Sequence, residues 1–139
     1  MLPQTCEYAL RAMTWIARQA DGAVQAKDIA SDAMIPLQYL QKLLTELVKH
    51  GFLASTRGVG GGFRLARPAS DLGLAEILAP FDDLLERSRC PFGNLLCGKS
   101  DPCPVHSRWE KVMQHYRQFL ESTTLADLVA EDVRSKRPR

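Results

Sequence analysis

The chain has 139 residues, of which 45% are apolar and 24% charged, and a formal net charge of +2, the profile of one globular domain with an accessory arm. No run approaches the roughly 18 consecutive apolar residues of a membrane span, and Met1-Leu2-Pro3-Gln4 carries neither the basic nor the apolar region of a secretion signal. Neither export nor membrane insertion is expected, and four cysteines are too few for a disulfide scaffold, so a reducing cytoplasm is the expected location.

From Thr5 to Ala20 the segment TCEYALRAMTWIARQA is rich in helix formers and sets Cys6, Ala9, Leu10, Met13, Ile16, Ala17 and Ala20 on one face, predicting an amphipathic helix. Asp21-Gly22 marks a turn, and a short second helix is expected over Ala26–Ala33 with Ile29 and Ala30 inward. Ile35-Pro36 then imposes an extended residue and puts proline where a helix start needs no amide donor. The third helix is predicted from Leu37 to His50, capped by Gly51. It has two faces: Leu37, Leu40, Leu43, Leu44, Leu47 and Val48 for packing, and Gln38, Gln41, Lys42, Thr45 and Lys49 for the outside. Two helices joined by a short turn, the second with Gln and Lys outward, form a helix-turn-helix whose polar face can reach phosphates and base edges.

In the next segment, FLASTRGVGGGFRLARP, apolar runs at Phe52-Leu53 and Phe63-Arg64-Leu65 flank Arg57-Gly58-Val59-Gly60-Gly61-Gly62, predicting a hairpin with a glycine-rich tip. A phosphate-cradling loop would lie between strand and helix and add Lys-Ser/Thr after its last glycine. Phe63 and Pro68 follow here, which rejects a nucleotide site. A basic hairpin directly after a recognition helix is a wing, with Arg57 expected in the minor groove and Arg64 and Arg67 at phosphate. The charge distribution agrees. Residues 1–70 hold eight Lys/Arg against five Asp/Glu, residues 71–139 hold ten against eleven, and within residues 36–67 Lys42, Lys49, Arg57, Arg64 and Arg67 oppose only Glu46. Such a concentration is the footprint of a polyanion-binding surface.

Beyond Pro68 a short helix is expected over Gly73 to Ala79, followed by the acidic stretch Asp82-Asp83-Leu84-Leu85-Glu86. A long helix is predicted from Val105 to Ser122, carrying the stripe Trp109, Val112, Met113, Tyr116, Phe119 and Leu120 at helical spacing. Because this helix lies beyond the winged unit, its stripe is expected to pack against a second copy in a two-fold homodimer. Thr124 is placed to cap a last helical turn at Leu125 to Val129, and EDVRSKRPR reads as a mobile polar tail.

Between the short helix and the long one stand Cys90, Cys97, Cys103 and His106, four potential ligands within 17 residues. Thiolate and imidazole suit an iron-sulfur cluster, zinc or copper(I) rather than calcium or magnesium. Three thiolates and one histidine satisfy a closed zinc site, but gaps of six and five residues favour a larger object than one ion. Iron-sulfur clusters take four protein ligands, and histidine can replace cysteine among them. A disulfide would leave one cysteine of the three unpaired. Cys6, on the inner face of the first helix, reads as a small buried hydrophobe.

MLPQTCEYALRA, IPLQYLQKLLTELVKHGFL, STRGVGGGFRLARP and TLADL together resemble the Rrf2 family of winged-helix regulators over nearly the whole chain. The resemblance implies homodimers that bind operator DNA and change affinity when a cluster is gained, lost, oxidised or attacked by nitric oxide. Residue by residue, it implies DNA contacts at Gln38, Tyr39, Gln41, Lys42 and Arg57, and cluster ligands at Cys90, Cys97 and Cys103. His106 resembles the fourth ligand of [2Fe-2S] members, although the first cysteine gap is one residue longer than theirs. Glu7 stands where [4Fe-4S] members take an acidic ligand from the other subunit.

The resulting expectation is a mostly α fold. A winged helix-turn-helix with a β-hairpin wing occupies residues 1–80, a cysteine-rich cluster-binding loop residues 81–106, a dimerisation helix residues 105–130, and a flexible tail residues 131–139. The expected function is that of a homodimeric operator-binding regulator, a repressor, sensing iron-sulfur status, redox state or nitric oxide. The same regulator with structural zinc or no metal, answering to thiol oxidation or a protein partner, is the alternative. No small-molecule substrate is expected: His50 and His115 read as surface residues and the carboxylates form no catalytic pair.

Overall fold

A computed structural model describes residues 2–19, 22–82, 90–93 and 102–134, with side chains through Glu131. Ala20, Asp21, the acidic stretch beyond Asp82, Cys97 and the tail beyond Arg134 lie outside the described residues.

Helix α1 spans Gln4–Arg18 and follows Pro3, whose missing amide proton is no loss at a helix start. Its buried side chains are Cys6, Ala9, Ala12, Met13 and Ile16, so the inner stripe runs through Ala12, while Leu10 and Ala17 lie half-buried at its margins. The small residues bring other backbones close to the helix axis. Helix α2 covers Ala26–Ala33 and buries Ile29. It ends at Met34, whose left-handed backbone (φ 56°, ψ 51°) turns the chain sharply into the next helix.

Helix α3, Leu37–Lys49, starts after Pro36 and buries Leu40, Leu43, Leu44 and Leu47. Its end is a Schellman motif: the Gly51 amide donates to the Val48 carbonyl and the Phe52 amide to that of Leu47, both at 3.0 Å, with Gly51 at φ 81°. Phe52 is thereby folded back into the core. One apolar residue departs from the expected packing face, since Leu37 is 42% exposed. In the first turn it shares the outer surface with Gln38 and Gln41.

Strands β1 (Leu53–Thr56) and β2 (Gly62–Leu65) form an antiparallel hairpin with Leu53 opposite Leu65 and Thr56 opposite Gly62. Val24, from the α1–α2 connection, bridges Phe63 on the free edge of β2 through a reciprocal pair of backbone hydrogen bonds of 2.8 and 2.7 Å. The sheet is thus tied to the segment between the first two helices. Helix α4, Leu74–Leu78, buries Leu74, Ile77 and Leu78 against α1.

Helix α5 spans His106–Ser122 and α6 spans Leu125–Arg134. Thr124 and Asp127 form a reciprocal cap at the start of α6, the Thr124 amide reaching the Asp127 carboxylate at 2.8 Å and the Asp127 amide the Thr124 hydroxyl at 3.2 Å. The helix is longer than the single turn expected, and residues 131–134, read from sequence as the start of a polar tail, are helical. The physical reason is tertiary: Leu125 is fully buried, Leu128 packs on the same core, and α6 lies along α1. Backbone bonds from Leu74 to Thr123 (3.0 Å) and from Leu125 to Leu72 (2.8 Å) fasten the α5–α6 junction to the start of α4. No described helix is long and apolar enough to cross a membrane.

Candidate nucleic-acid interface and cysteine loop

Packing of one face of α3 leaves the other in solvent. Gln38, Gln41, Lys42, Thr45 and Lys49 are all exposed. Thr45 turns its hydroxyl back to the Gln41 carbonyl (2.9 Å), while the side chains of Gln38, Gln41 and Lys42 have no hydrogen-bonding partner among the described residues. Their donors are available to another molecule. The hairpin stands beside this row, and Thr45 and Val48 of α3 face Ser55, Thr56, Arg57 and Phe63 across an open cleft of about 330 Å³.

Tyr39 stands apart from that row. It is half-buried, its hydroxyl shares a hydrogen bond with that of Thr5, and its ring meets Tyr8 edge-on at 5.1 Å. The Arg11 guanidinium lies 4.8 Å over the Tyr8 ring and donates to the Ala33 carbonyl at the end of α2 (3.0 Å). This chain of contacts joins the first turn of α1 to both helices of the helix-turn-helix. Local sequence pattern gives no sign of this network, because Thr5, Tyr8, Arg11 and Tyr39 show no periodic signal that would associate them.

The three wing arginines also separate. Arg57 is exposed immediately after β1. Arg64 is exposed and donates across the hairpin to the Thr56 hydroxyl (3.0 Å), which holds its guanidinium on the outer face. Arg67, expected at phosphate, instead pairs with Glu76 at 2.7 Å and lies 5.9 Å over the Phe52 ring. Its Nε is buried. Arg67 therefore links the end of the hairpin to α4, with its side chain still 40% exposed.

At the cysteine loop, the Gly93 amide donates to the Cys90 carbonyl (2.8 Å) and the Phe92 amide to the Cys90 sulfur (3.4 Å). The His106 amide donates to the Cys103 carbonyl (3.1 Å), which sets His106 at the first turn of α5. Cys90, Cys103 and His106 are each half-buried, whereas Glu7 is exposed on α1. Among the described residues no three such side chains converge on one point, and Cys97 lies outside them. The amide aimed at the Cys90 sulfur is a donor of the kind that stabilises a cluster-bound thiolate, so the donor chemistry of this loop fits an iron-sulfur centre.

Cys6 belongs to the core. Burial, and then the negative charge of Asp82, push its thiol up to about 11, which makes it a poor thiolate. Tyr116 of α5 is raised by burial and then by Cys6 and Asp82, which places the three groups in one neighbourhood.

The α5 stripe is divided. Met113 and Leu120 are buried in this chain's own core, while Val112 and Phe119 are 50% and 48% exposed. Tyr116 packs partly on the core, and Trp109 is half-buried. Helix α5 thus does not lie wholly beyond the winged unit, because its inner edge packs on α4. Val112 and Phe119, two turns apart, form the outward edge.

Over residues 2–131 the chain matches the family model described as Rrf2, iron-dependent transcriptional regulator. It is 36% identical over 123 residues to the HTH-type transcriptional regulator IscR of Yersinia enterocolitica, an alignment covering 88% of this chain and 74% of that one. Among solved structures it resembles T. potens IscR with a TM-score of 0.79 at 28% identity, over 100% of this chain and 93% of that one. It shares the fold of CymR, the global cysteine regulator of B. subtilis, with a TM-score of 0.78 at 22% identity, over 94% and 97% of the two chains.

Proposed function

The chain belongs to the Rrf2 family of transcriptional regulators, and from that premise we propose that it is a cytoplasmic, homodimeric repressor whose hold on operator DNA depends on an iron-sulfur cluster at Cys90, Cys97 and Cys103. The observation that carries the reading is the row Gln38, Gln41 and Lys42, exposed on α3 beside Arg57 and Arg64 of the hairpin. A helix with a buried Leu face and unpartnered Gln and Lys donors outward is built to enter a major groove, while the basic hairpin reaches the backbone and minor groove alongside.

The sensing half rests on donor chemistry and chain order. Three thiolates suit the cluster, with the fourth ligand supplied by His106 for a [2Fe-2S] centre or by the partner subunit's Glu7 for a [4Fe-4S] centre. When bound, such a centre supplies sensitivity to iron-sulfur status, redox state and nitric oxide. The loop runs directly into α5, whose outward Val112 and Phe119 would meet the second copy. Reordering the loop would then alter the separation of the two recognition helices, which must match about 34 Å between half-sites.

The test is an anaerobic visible spectrum with iron, sulfide and zinc analysis on native protein and Cys97→Ala, paired with gel shifts on a duplex selected from a random library. Brown native protein with iron and sulfide, both missing in the variant, and a sequence-specific shift are expected. Two iron atoms per subunit would assign His106 and four would assign Glu7. Colourless protein with one zinc or none would overturn the cluster in favour of a zinc- or thiol-based regulator, for which the same donors are competent. A cluster with no sequence-specific shift would point to an electron carrier and remove the DNA half.

A further inference from the structure

We propose that Val59, at the apex of the wing, rests on the floor of the DNA minor groove and selects A·T pairs there by offering no acceptor to the guanine 2-amino group. This rests on the reading of the hairpin as a DNA-contacting wing and assigns a specificity role within it.

The apex is a tight turn in which the Gly61 amide donates to the Gly58 carbonyl at 3.0 Å. Gly58 and Gly60 have φ of +95° and +76°, a conformation that disfavours any side chain. The other two glycines are required by proximity. A Cβ on Gly61 would lie 2.3 Å from the Thr56 carbonyl oxygen, and one on Gly62 would lie 2.4 Å from that of Val24. Side chains are therefore disfavoured by backbone conformation at Gly58 and Gly60 and excluded by contact at Gly61 and Gly62, and the remaining position of the five carries an isopropyl group that is fully exposed at 109%. It follows Arg57 by two residues, so the cation and the apolar tip enter the same groove together.

The minor groove is about 6 Å wide, and its floor distinguishes base pairs chiefly by the guanine amino group. Both pairs present N3 and O2 acceptors whose hydration the valine disturbs alike, and against an A·T pair the methyls otherwise meet only the adenine C2–H. Against a G·C pair they strip water from a donor and give nothing in return, a loss of about tenfold in affinity. Arg57 adds a preference of its own for the narrow, more negative groove of A·T-rich DNA, so the test must separate the two residues.

Full-length protein is titrated against its selected duplex, with hydroxyl-radical footprinting to locate the wing contact. There, each A·T pair is replaced by 2,6-diaminopurine·T, which adds the 2-amino group and leaves the major-groove edge unchanged. Native protein should lose about tenfold in affinity per wing site, Val59→Ile should keep that penalty, and Val59→Ser, whose hydroxyl can accept from the amino group, should reduce it to within about twofold. Equal penalties in native protein and Val59→Ser, or none in native protein, would overturn the assignment. Arg57→Ala identifies which level has failed. If it weakens binding while the diaminopurine result is negative, the wing contacts DNA without Val59 reading it. If it has no effect and the footprint shows no minor-groove protection, the wing reading itself is wrong and the Val59 role falls with it.

Discussion

Gly62→Ala tests how the wing is attached to the rest of the molecule. Gly62 opens β2 at φ +142°, and an added Cβ would lie 2.4 Å from the Val24 oxygen, 2.8 Å from its carbonyl carbon and 3.2 Å from its nitrogen. All three are backbone atoms, so no side chain can rotate aside. Relief requires β2 to leave Val24, which breaks the reciprocal bonds between Val24 and Phe63 at about 1 kcal/mol each. The glycine-only backbone conformation adds about 1 kcal/mol. Together they give a destabilisation of about 3 kcal/mol, which is a large share of a typical domain's stability and is equivalent to about 10 °C in Tm for a chain of this size. Gly60→Ala is the control: its φ is +76° but nothing lies within 4 Å of the added carbon, so about 1 kcal/mol is expected. Urea unfolding followed by circular dichroism measures both, and hydrogen exchange at the Phe63 amide reports the bridge directly. If the two variants agree within about 0.5 kcal/mol, less than the net worth of a single hydrogen bond, the anchoring role assigned to Val24 is refuted.

Met34→Gly should stabilise the protein by about 0.5 kcal/mol, because relief of a left-handed non-glycine conformation outweighs the entropy that glycine costs; a drop in urea midpoint would show that the 79% exposed side chain contributes packing after all. Stability should fall as pH rises from about 9 toward 11: the buried Cys6 thiol keeps its proton to about 11, the unfolded thiol loses its own lower, and over that window the folded state binds more protons than the unfolded one. Cys6→Ala should flatten that slope, and an unchanged slope would transfer the effect to other groups. Lys42→Ala should reduce the salt dependence of DNA binding by about 0.9 in log–log slope, whereas Arg67→Ala should leave it unchanged and lower thermal stability by breaking the Glu76 pair and the Phe52 contact. A salt slope that changed equally in both would return Arg67 to the DNA surface.

Much of this protein is written in local pattern. The Leu spacing of α3, Pro36 before it and Gly51 after it specify where that helix begins, ends and faces, because capping and amphipathicity act over a few residues. Glycine content and basic charge likewise announce the wing, and the cysteine spacing gathers four residues of metal-ligand type into one stretch. Local pattern is silent on which exposed-looking residues are recruited by distant elements. Arg67 and Arg64 read alike in the sequence, yet Glu76 and Phe52 claim the first while the second stays outside. Tyr39 sits among polar neighbours but is drawn to Thr5 and Tyr8 of a helix more than thirty positions earlier. Helix α6 outruns its local signal because α1 offers an apolar surface to cover, and the aromatic stripe of α5 divides because one edge meets α4. The sequence by itself determined most of the elements and the capping of α3, since those energies are local. The tertiary structure decided which cations and rings remain available to a partner, since that depends on contacts made only after the elements pack.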